Sequence, residues 1–331
     1  MKRLLLLFVV AIGLAPGTWV RSPRPVQVLD AGLVATRIPT DGRSVGPLQV
    51  AGAWVLESRN SLFGGYSSLV ALPDGSLLSG SDKGTALRFR LTRRGPTQAR
   101  LTTFGGKAAD EDKIYSDLEA LSGDPATGRI WAAYEYLNAI VRFDTPDAAP
   151  VVANPPEIDG WPANLGPEAL VRLADGRFIV LAEGTRAWLD RNHNGVLFDG
   201  DPVEGAAGTK FSFRPPGDFR PVDMASLPDG RVLIMVRTFD WTLPPTFRAR
   251  LLVADPADIV AGETWPWTEL TRLEPPLPTD NYEGLAVIGE EYPVRLRIIS
   301  DDNTATFQRT LLLDLTWDGT MPAKREKARR P

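Results

Sequence analysis

The sequence predicts an all-β fold, a single β-propeller, on three observations. A phrase recurs five times: a polar or acidic residue, an apolar run, a glycine-centred turn and a second apolar run. With Ser68, Glu119, Glu168, Met224 and Glu283 as equivalent points, the steps are roughly 50 to 60 residues, the length of a propeller blade. Helical periodicity is almost absent, and 29 Pro with 30 Gly divide the 331 residues into short segments.

The individual elements follow from alternating or continuous apolar runs. Strands are expected at Leu69 to Leu72 and Ser76 to Ser79, Ile130 to Tyr134 and Ala139 to Phe143, and Phe178 to Leu181. Val232 to Val236, Arg250 to Val253, Arg295 to Ile299 and Thr310 to Leu315 complete the set. Asp74-Gly75, Asp175-Gly176 and Asp229-Gly230 stand at one phase after an apolar strand, which predicts equivalent hairpin turns. Five blades are visible. A sixth is expected where the N-terminal strand at Leu48 to Leu56 pairs with the C-terminal strands, a clasp that removes open edges.

Three parts are expected along the chain: residues 1–22, a propeller over 23–318, and a basic disordered tail over 319–331. Met1-Lys2-Arg3 followed by the apolar run from Leu4 to Ala15 has the form of an export signal, or of an uncleaved anchor if Trp19 and Val20 extend it. The chain is therefore read as exported, periplasmic or secreted, with no other membrane span.

Composition excludes several chemistries. The chain is 43% hydrophobic and 24% charged, with a net charge of −4, so it has no basic footprint for nucleic acid. It has no Cys, which removes thiolate nucleophiles and Cys-ligated zinc. The count of a single histidine, His193, is read as removing the His-dependent phosphatases, Ser-His-Asp hydrolases and multi-His metal sites. What remains is carboxylate, Lys, Arg, hydroxyl and oxygen-ligated metal chemistry.

Acids stand at four of the five blade starts, Asp117 with Glu119, Glu168, Asp223 and Glu283. Further polar residues follow the next strand: Asp82, Glu135, Glu183, Arg237 and Asp301. On the inner strands of a propeller such positions meet in one axial pocket, where carboxylates at close range need a cation or interleaved Arg and Lys. The competing reading is that each acid caps a turn or pairs with a neighbouring Arg. A separate stretch, Asp190 to Asp201, has the spacing of a calcium loop: Asp190, Asn192 and Asn194 as side-chain donors, Gly195 at the turn, Val196 as a carbonyl donor and Asp201 at the twelfth place. It predicts a structural Ca²⁺ site with His193 pointing outward, or else a polar turn without metal. Trp241, Trp265 and Trp267 among prolines predict a long loop, packed on the body or lying over the pocket.

The strings Phe63-Gly64-Gly65-Tyr66-Ser67-Ser68-Leu69, Ser81-Asp82-Lys83-Gly84, Asp117-Leu118-Glu119-Ala120-Leu121, Asn164-Leu165-Gly166-Pro167-Glu168-Ala169-Leu170, Asn281-Tyr282-Glu283-Gly284-Leu285-Ala286 and Ser300-Asp301-Asp302-Asn303 together resemble the bacterial phytase-like domain family, also described as esterase-like activity of phytase. The likeness extends over about residues 45 to 318. It implies a propeller hydrolase whose acidic channel holds Ca²⁺. Asp117, Glu119, Glu168, Glu283 and Asp301 are then the channel metal candidates. Glu119, Glu168, Asp223 and Glu283 are the carboxylates of catalysis, and Arg237 or Arg309 offsets developing negative charge. The expected partner is a small anionic or ester substrate, acted on by a monomer. A lactonase-like propeller and a non-catalytic periplasmic propeller that binds a ligand or protein are the alternatives, since the fold alone does not choose between them.

Overall fold

A computed structural model describes residues 29–40, 42–104, 117–146, 148–185, 190–240, 242, 246–305 and 307–322. The expected export segment and most of the basic tail, as well as Trp241, lie outside the described residues. In chain order the strands are Val34–Arg37 (β1), Ser44–Val45 (β2), Leu48–Glu57 (β3), Val70–Ala71 (β4), Leu77–Gly80 (β5), Thr85–Thr92 (β6), Gly95–Thr103 (β7), Leu118–Gly123 (β8), Ile130–Tyr134 (β9), Ala139–Phe143 (β10) and Val151–Ala153 (β11). They continue with Pro167–Arg172 (β12), Phe178–Thr185 (β13), His193–Phe198 (β14), Gly208–Phe213 (β15), Arg220–Ser226 (β16), Val232–Asp240 (β17), Thr246–Ala254 (β18), Thr264–Trp265 (β19), Thr268–Leu273 (β20), Asn281–Ile288 (β21), Val294–Asp301 (β22) and Thr310–Trp317 (β23). Among the described residues the helices are short 3₁₀ turns such as Pro202–Glu204 and Pro256–Asp258, and none is long and apolar enough to cross a membrane.

These strands form five sheets, the blades of one propeller. The first is β4-β5-β6-β7, the second β8-β9-β10-β11, the third β12-β13-β14-β15 with β19 added in parallel, and the fourth β16-β17-β18-β20. The fifth runs β21-β22-β23-β3-β1, with β2 on the side of β3. The expected clasp between the chain ends is present: Thr310 lies opposite Leu56 and Leu313 opposite Ala53. It completes the fifth blade rather than a sixth. The segment from Ile298 to Trp317 is the second and third strands of the Glu283 blade itself, so no strands remain for another.

Innermost strands β4, β8, β12, β16 and β21 lie side by side in a closed ring. The apolar side chains form five buried clusters, one at each junction between neighbouring blades. Middle strands are thus covered on both faces, which is why Ile130–Tyr134 is buried at every position instead of alternating. The three Asp-Gly turns are equivalent as expected. Gly75, Gly176 and Gly230 have φ of 79°, 92° and 86°, a region open to glycine. Each donates its N–H to the residue three before it, Leu72, Leu173 and Leu227 respectively. The preceding Asp accepts from the residue two after it, Ser76, Arg177 or Arg231.

Candidate functional site

The end of the ring opposite these turns carries the acids, and a recurring backbone irregularity presents them. In β8, β12, β16 and β21 the register with the second strand slips by one residue, leaving Glu119, Glu168, Val222 and Glu283 as the extra residue. In the first blade, Tyr66 bridges Ser81 while Val70 pairs with Leu78, so an extra residue is inserted there too. A bulge re-aims its side chain, and here it directs three glutamates to a common pocket. Glu135, Glu183, Arg237 and Asp301 come from the ends of the second strands and Asp82 from the turn after β5, all at the same end of the ring.

Mutual repulsion shows how close these groups are. Burial raises the Glu119 pKa well above the ordinary carboxylate range, and Glu283, Glu135, Asp117 and Asp82 raise it further. Glu168 is likewise pushed well up by burial, then by Glu119, Glu183 and Glu283, with Arg237 opposing. Burial takes Glu135 to about 7, assisted by Glu183 and Asp117. Burial takes Asp301 to about 8, with Glu283, Asp82 and Asp302 adding repulsion. Arg237 Nη2 lies 2.9 Å from Glu283 Oε1. Burial disfavours the Arg237 charge, but Glu283, Glu168, Glu183 and Asp301 outweigh it and raise the pKa. Burial also raises Glu283, against the pull of Arg237 and a 2.8 Å hydrogen bond from Asn281 Nδ2.

Within the pocket Asp117, Glu119 and Glu135 each offer a carboxylate oxygen, all within 4.8 Å of one another. Asp117 is held at φ 77°, its N–H donating to the Asp82 carbonyl and its Oδ2 accepting from the Tyr136 N–H at 3.0 Å. Three hard oxygen donors at this spacing suit a divalent cation of the Ca²⁺ or Mg²⁺ type. Such an ion would also offset the burial and repulsion that raise the Glu119 and Glu135 pKa values. Glu168 and Glu283 each stand close enough to repel Glu119, and Asp301 close enough to repel Glu283, outside this triad. Gly64 closes one side, where an added Cβ would lie 2.8 Å from the Asp302 carboxylate. The glycine pair is thus a backbone-approach site.

Other sequence-derived candidates lie elsewhere. Asp223 follows the bulge of its blade, at the place taken by Ala120, Ala169 and Gly284 in others. It is fully buried, and its Oδ1 accepts from Met224 N at 2.8 Å and its Oδ2 from Leu285 N at 2.6 Å in the next inner strand. It staples the fourth blade to the fifth and does not line the pocket. Arg309 is engaged at the rim by Asp280, with Nε 3.4 Å from Oδ2, and does not join the acids.

No calcium loop forms over 190–201. His193–Phe198 is an extended strand paired on both sides, so its backbone is committed to its neighbours and Asn194 and Val196 cannot curl around one ion with Asp190. Asp190 Oδ1 accepts instead from the Asn192 backbone at 3.0 Å. Asp201 caps the Pro202–Glu204 turn and takes hydrogen bonds from Trp131 Nε1 at 2.9 Å and Arg142 Nη1 at 2.6 Å. His193 is buried rather than outward, with Nδ1 3.1 Å from the Ala182 carbonyl and its pKa lowered by burial. Trp265 is fully buried between the third and fourth blades, and Trp267 donates to the Arg214 carbonyl, so both pack on the body.

Asp82, Glu135, Glu183 and Asn281 belong to the pocket but were outside the residues expected to act. Their signal was available: the first three repeat one phase after the second strand, as Arg237 and Asp301 do. A sequence profile described as esterase-like activity of phytase matches residues 61–304. No curated protein matches the chain. Among solved structures, glutaminyl cyclase of Myxococcus xanthus is 13% identical at a TM-score of 0.45, with 81% of this chain and 95% of that one covered. The PQQ-bound aldose sugar dehydrogenase of Streptomyces coelicolor is 12% identical at 0.42, covering 87% and 99%. These structures are distant, and nothing about activity is carried over from them.

Proposed function

The chain belongs to the phytase-like family, and from its axial pocket we propose that it is an exported hydrolase of a phosphoester or carboxylic ester, assisted by a divalent cation. The observation that carries this reading is the Asp117, Glu119 and Glu135 triad, three oxygens within 4.8 Å in a pocket where further acids outnumber the cationic groups. Asp117, Glu119 and Glu135 would hold the ion. Bound there, it would polarise an ester oxygen and make a water more acidic. Arg237, fixed by Glu283, places positive charge where the ester oxygen gains negative charge. Glu168, ionised once a bound cation offsets the surrounding acids that raise its pKa, would take the proton from the attacking water at a carboxylate oxygen and return it to the leaving oxygen. Asp223 contributes by holding the Leu285 backbone, two residues beyond Glu283. Export rests on the charged and then apolar order of residues 1–15.

The test is a hydrolase screen on p-nitrophenyl phosphate, p-nitrophenyl acetate, phytate and simple lactones, each with Ca²⁺ and with EDTA. Turnover of one ester class that EDTA abolishes is expected. Absence of turnover on every substrate with Ca²⁺ present would replace this reading with a binding propeller.

A further inference from the structure

Backbone pairing puts the five inner strands on one scale. The Asp82 N–H donates to the Gly65 carbonyl, that of Glu135 to Asp117 and that of Glu183 to Gly166. In the other two blades Arg237 lies opposite Arg220 and Asp301 opposite Asn281. Two residues beyond Gly65, Asp117, Gly166, Arg220 and Asn281 stand Ser67, Glu119, Glu168, Val222 and Glu283. The first blade thus places Ser67 where three other blades place a glutamate on a bulge, while Val222 is buried in the apolar cluster of the fourth and fifth blades.

Ser67 belongs to the wall between two of those glutamates. The inner strand of the first blade runs between those of the fifth and second blades. A Cβ added to Gly284 would lie 2.7 Å from the Ser68 carbonyl carbon, so the residues just before them, Glu283 and Ser67, meet across this junction. On the other side, the Gly80 carbonyl accepts from the Ser67 N–H, and a Cβ added to Gly80 would lie 2.5 Å from the Leu118 side chain, next to Glu119. After burial, Glu283 does most to raise the Glu119 pKa, although the first blade stands between their two blades. Ser67 is 3% exposed, and its hydroxyl makes no hydrogen bond to a described residue. A short, uncharged side chain between two carboxylates leaves space there, and a buried hydroxyl without a partner is a donor awaiting an acceptor.

Resting on the hydrolase reading for the kind of ligand, we propose that Ser67 is a ligand-contacting residue, whose hydroxyl donates a hydrogen bond to an acceptor oxygen of the substrate seated between the Asp117, Glu119 and Glu135 triad and Arg237. The triad lies on the second-blade side of Ser67, and Arg237, held by Glu283, on the fifth-blade side. A substrate oxygen over Ser67 is then within the field of both, on the sector of the wall that carries no carboxylate at the bulge.

The chain has no Cys, so Ser67→Cys and Ser68→Cys each introduce a single thiol. The Ser68 hydroxyl is fully buried, which makes the second variant the shielded control. Labelling with cationic methanethiosulfonate ethyltrimethylammonium and anionic methanethiosulfonate ethylsulfonate is followed by intact mass. In EDTA the thiol at 67 should react about tenfold or more faster with the cationic reagent than with the anionic one, and about tenfold or more faster than the thiol at 68. With Ca²⁺, acetate or inorganic phosphate, the acid products of the two ester classes, should slow labelling at 67. Ser67→Ala should lower kcat/KM for p-nitrophenyl acetate or p-nitrophenyl phosphate, whichever is turned over, by about tenfold or more, and Ser67→Thr should keep most of it. Both should retain the parent rise in melting temperature with Ca²⁺, a response that a residue holding the cation would lose. Equal labelling at 67 and 68, no slowing by either anion, full activity in Ser67→Ala, or loss of its Ca²⁺ response overturns the proposal and leaves the hydrolase reading intact. Labelling at 67 that an anion slows, with no ester turned over, sustains the contact and removes the hydrolase reading.

Discussion

Two acidic regions of this chain have oxygen-donor patterns, and only one of them gathers its donors. The 190–201 stretch has its donors close together in sequence, yet a strand paired on both sides holds 193–198 extended so that they cannot close on one ion, and Asp201 is engaged by Arg142 and Trp131. The triad Asp117, Glu119 and Glu135 comes from one hairpin of the second blade, whose bulge and strand end set their oxygens within 4.8 Å of one another, while the ring adds Glu168 and Glu283 from other blades near Glu119. Donor spacing is therefore a guide to a cation site only together with the local backbone: an extended paired strand spreads its donors along its length, while a bulge opposite a strand end gathers them.

The channel side of this contrast is broken most severely by Glu168→Gln. It keeps the shape and removes a group that holds a proton, so kcat of the proposed hydrolase should fall by about 10²-fold or more. Stability should hold, because Gln keeps the shape and stays neutral where burial and the neighbouring acids already disfavour the ionised carboxylate. Steady-state kinetics with a parallel melting curve checks both, and full activity in the variant would end the carboxylate mechanism.

On the other side, Asp201→Ala should lower stability by about 2–3 kcal/mol, the scale of losing charge-assisted hydrogen bonds from a half-buried guanidinium together with a turn cap. Denaturant unfolding measures it. Its Ca²⁺ response should match that of the parent chain; loss of the response would return a cation to this region.

Without metal, stability should depend on pH through the channel. Glu135 at about 7 and Asp301 at about 8 bind protons in the folded chain that the unfolded chain has already released. The folded state therefore holds more protons between about pH 4 and 8, and stability falls as pH rises through that window. Melting in EDTA across pH 5 to 9 should show this decline, and excess Ca²⁺ should flatten it. A melting temperature that rises over this range in EDTA would contradict the described electrostatics.

Much of the fold was legible because its signals are local. Asp74-Gly75, Asp175-Gly176 and Asp229-Gly230 announce hairpins through residues that accept positive φ, and Leu48 to Leu56 announces the closing strand by its apolar content. Blade number was not, since the strands after Ile298 read equally well as an end of one blade or a start of another. The acids of the pocket were legible as a repeat, but the one-residue bulges were not. Without them Asp223 reads as the counterpart of Glu168, whereas the register assigns that place to Val222 and turns Asp223 towards Leu285. The apolar run Val196 to Phe198 was the available warning against a calcium loop, because a loop that wraps an ion does not also fill a strand between two neighbours.

The response to Ca²⁺ separates the two regions directly. A ligand that binds only the folded chain stabilises it by about 2.7 kcal/mol at a concentration 100 times its dissociation constant. For a domain of this size that corresponds to a rise of several degrees in melting temperature. Ca²⁺ should produce such a rise, and Glu119→Gln should remove it, since Glu119 belongs to the oxygen triad. Asp190→Ala should leave the rise unchanged. Its carboxylate bonds the backbone and side chain of Asn192, local contacts that do not depend on an ion. Differential scanning fluorimetry on the three chains, with Ca²⁺ and with EDTA, decides the point. A shift lost in Asp190→Ala and kept in Glu119→Gln would reverse the assignment and place the cation in the region where sequence spacing alone first put it.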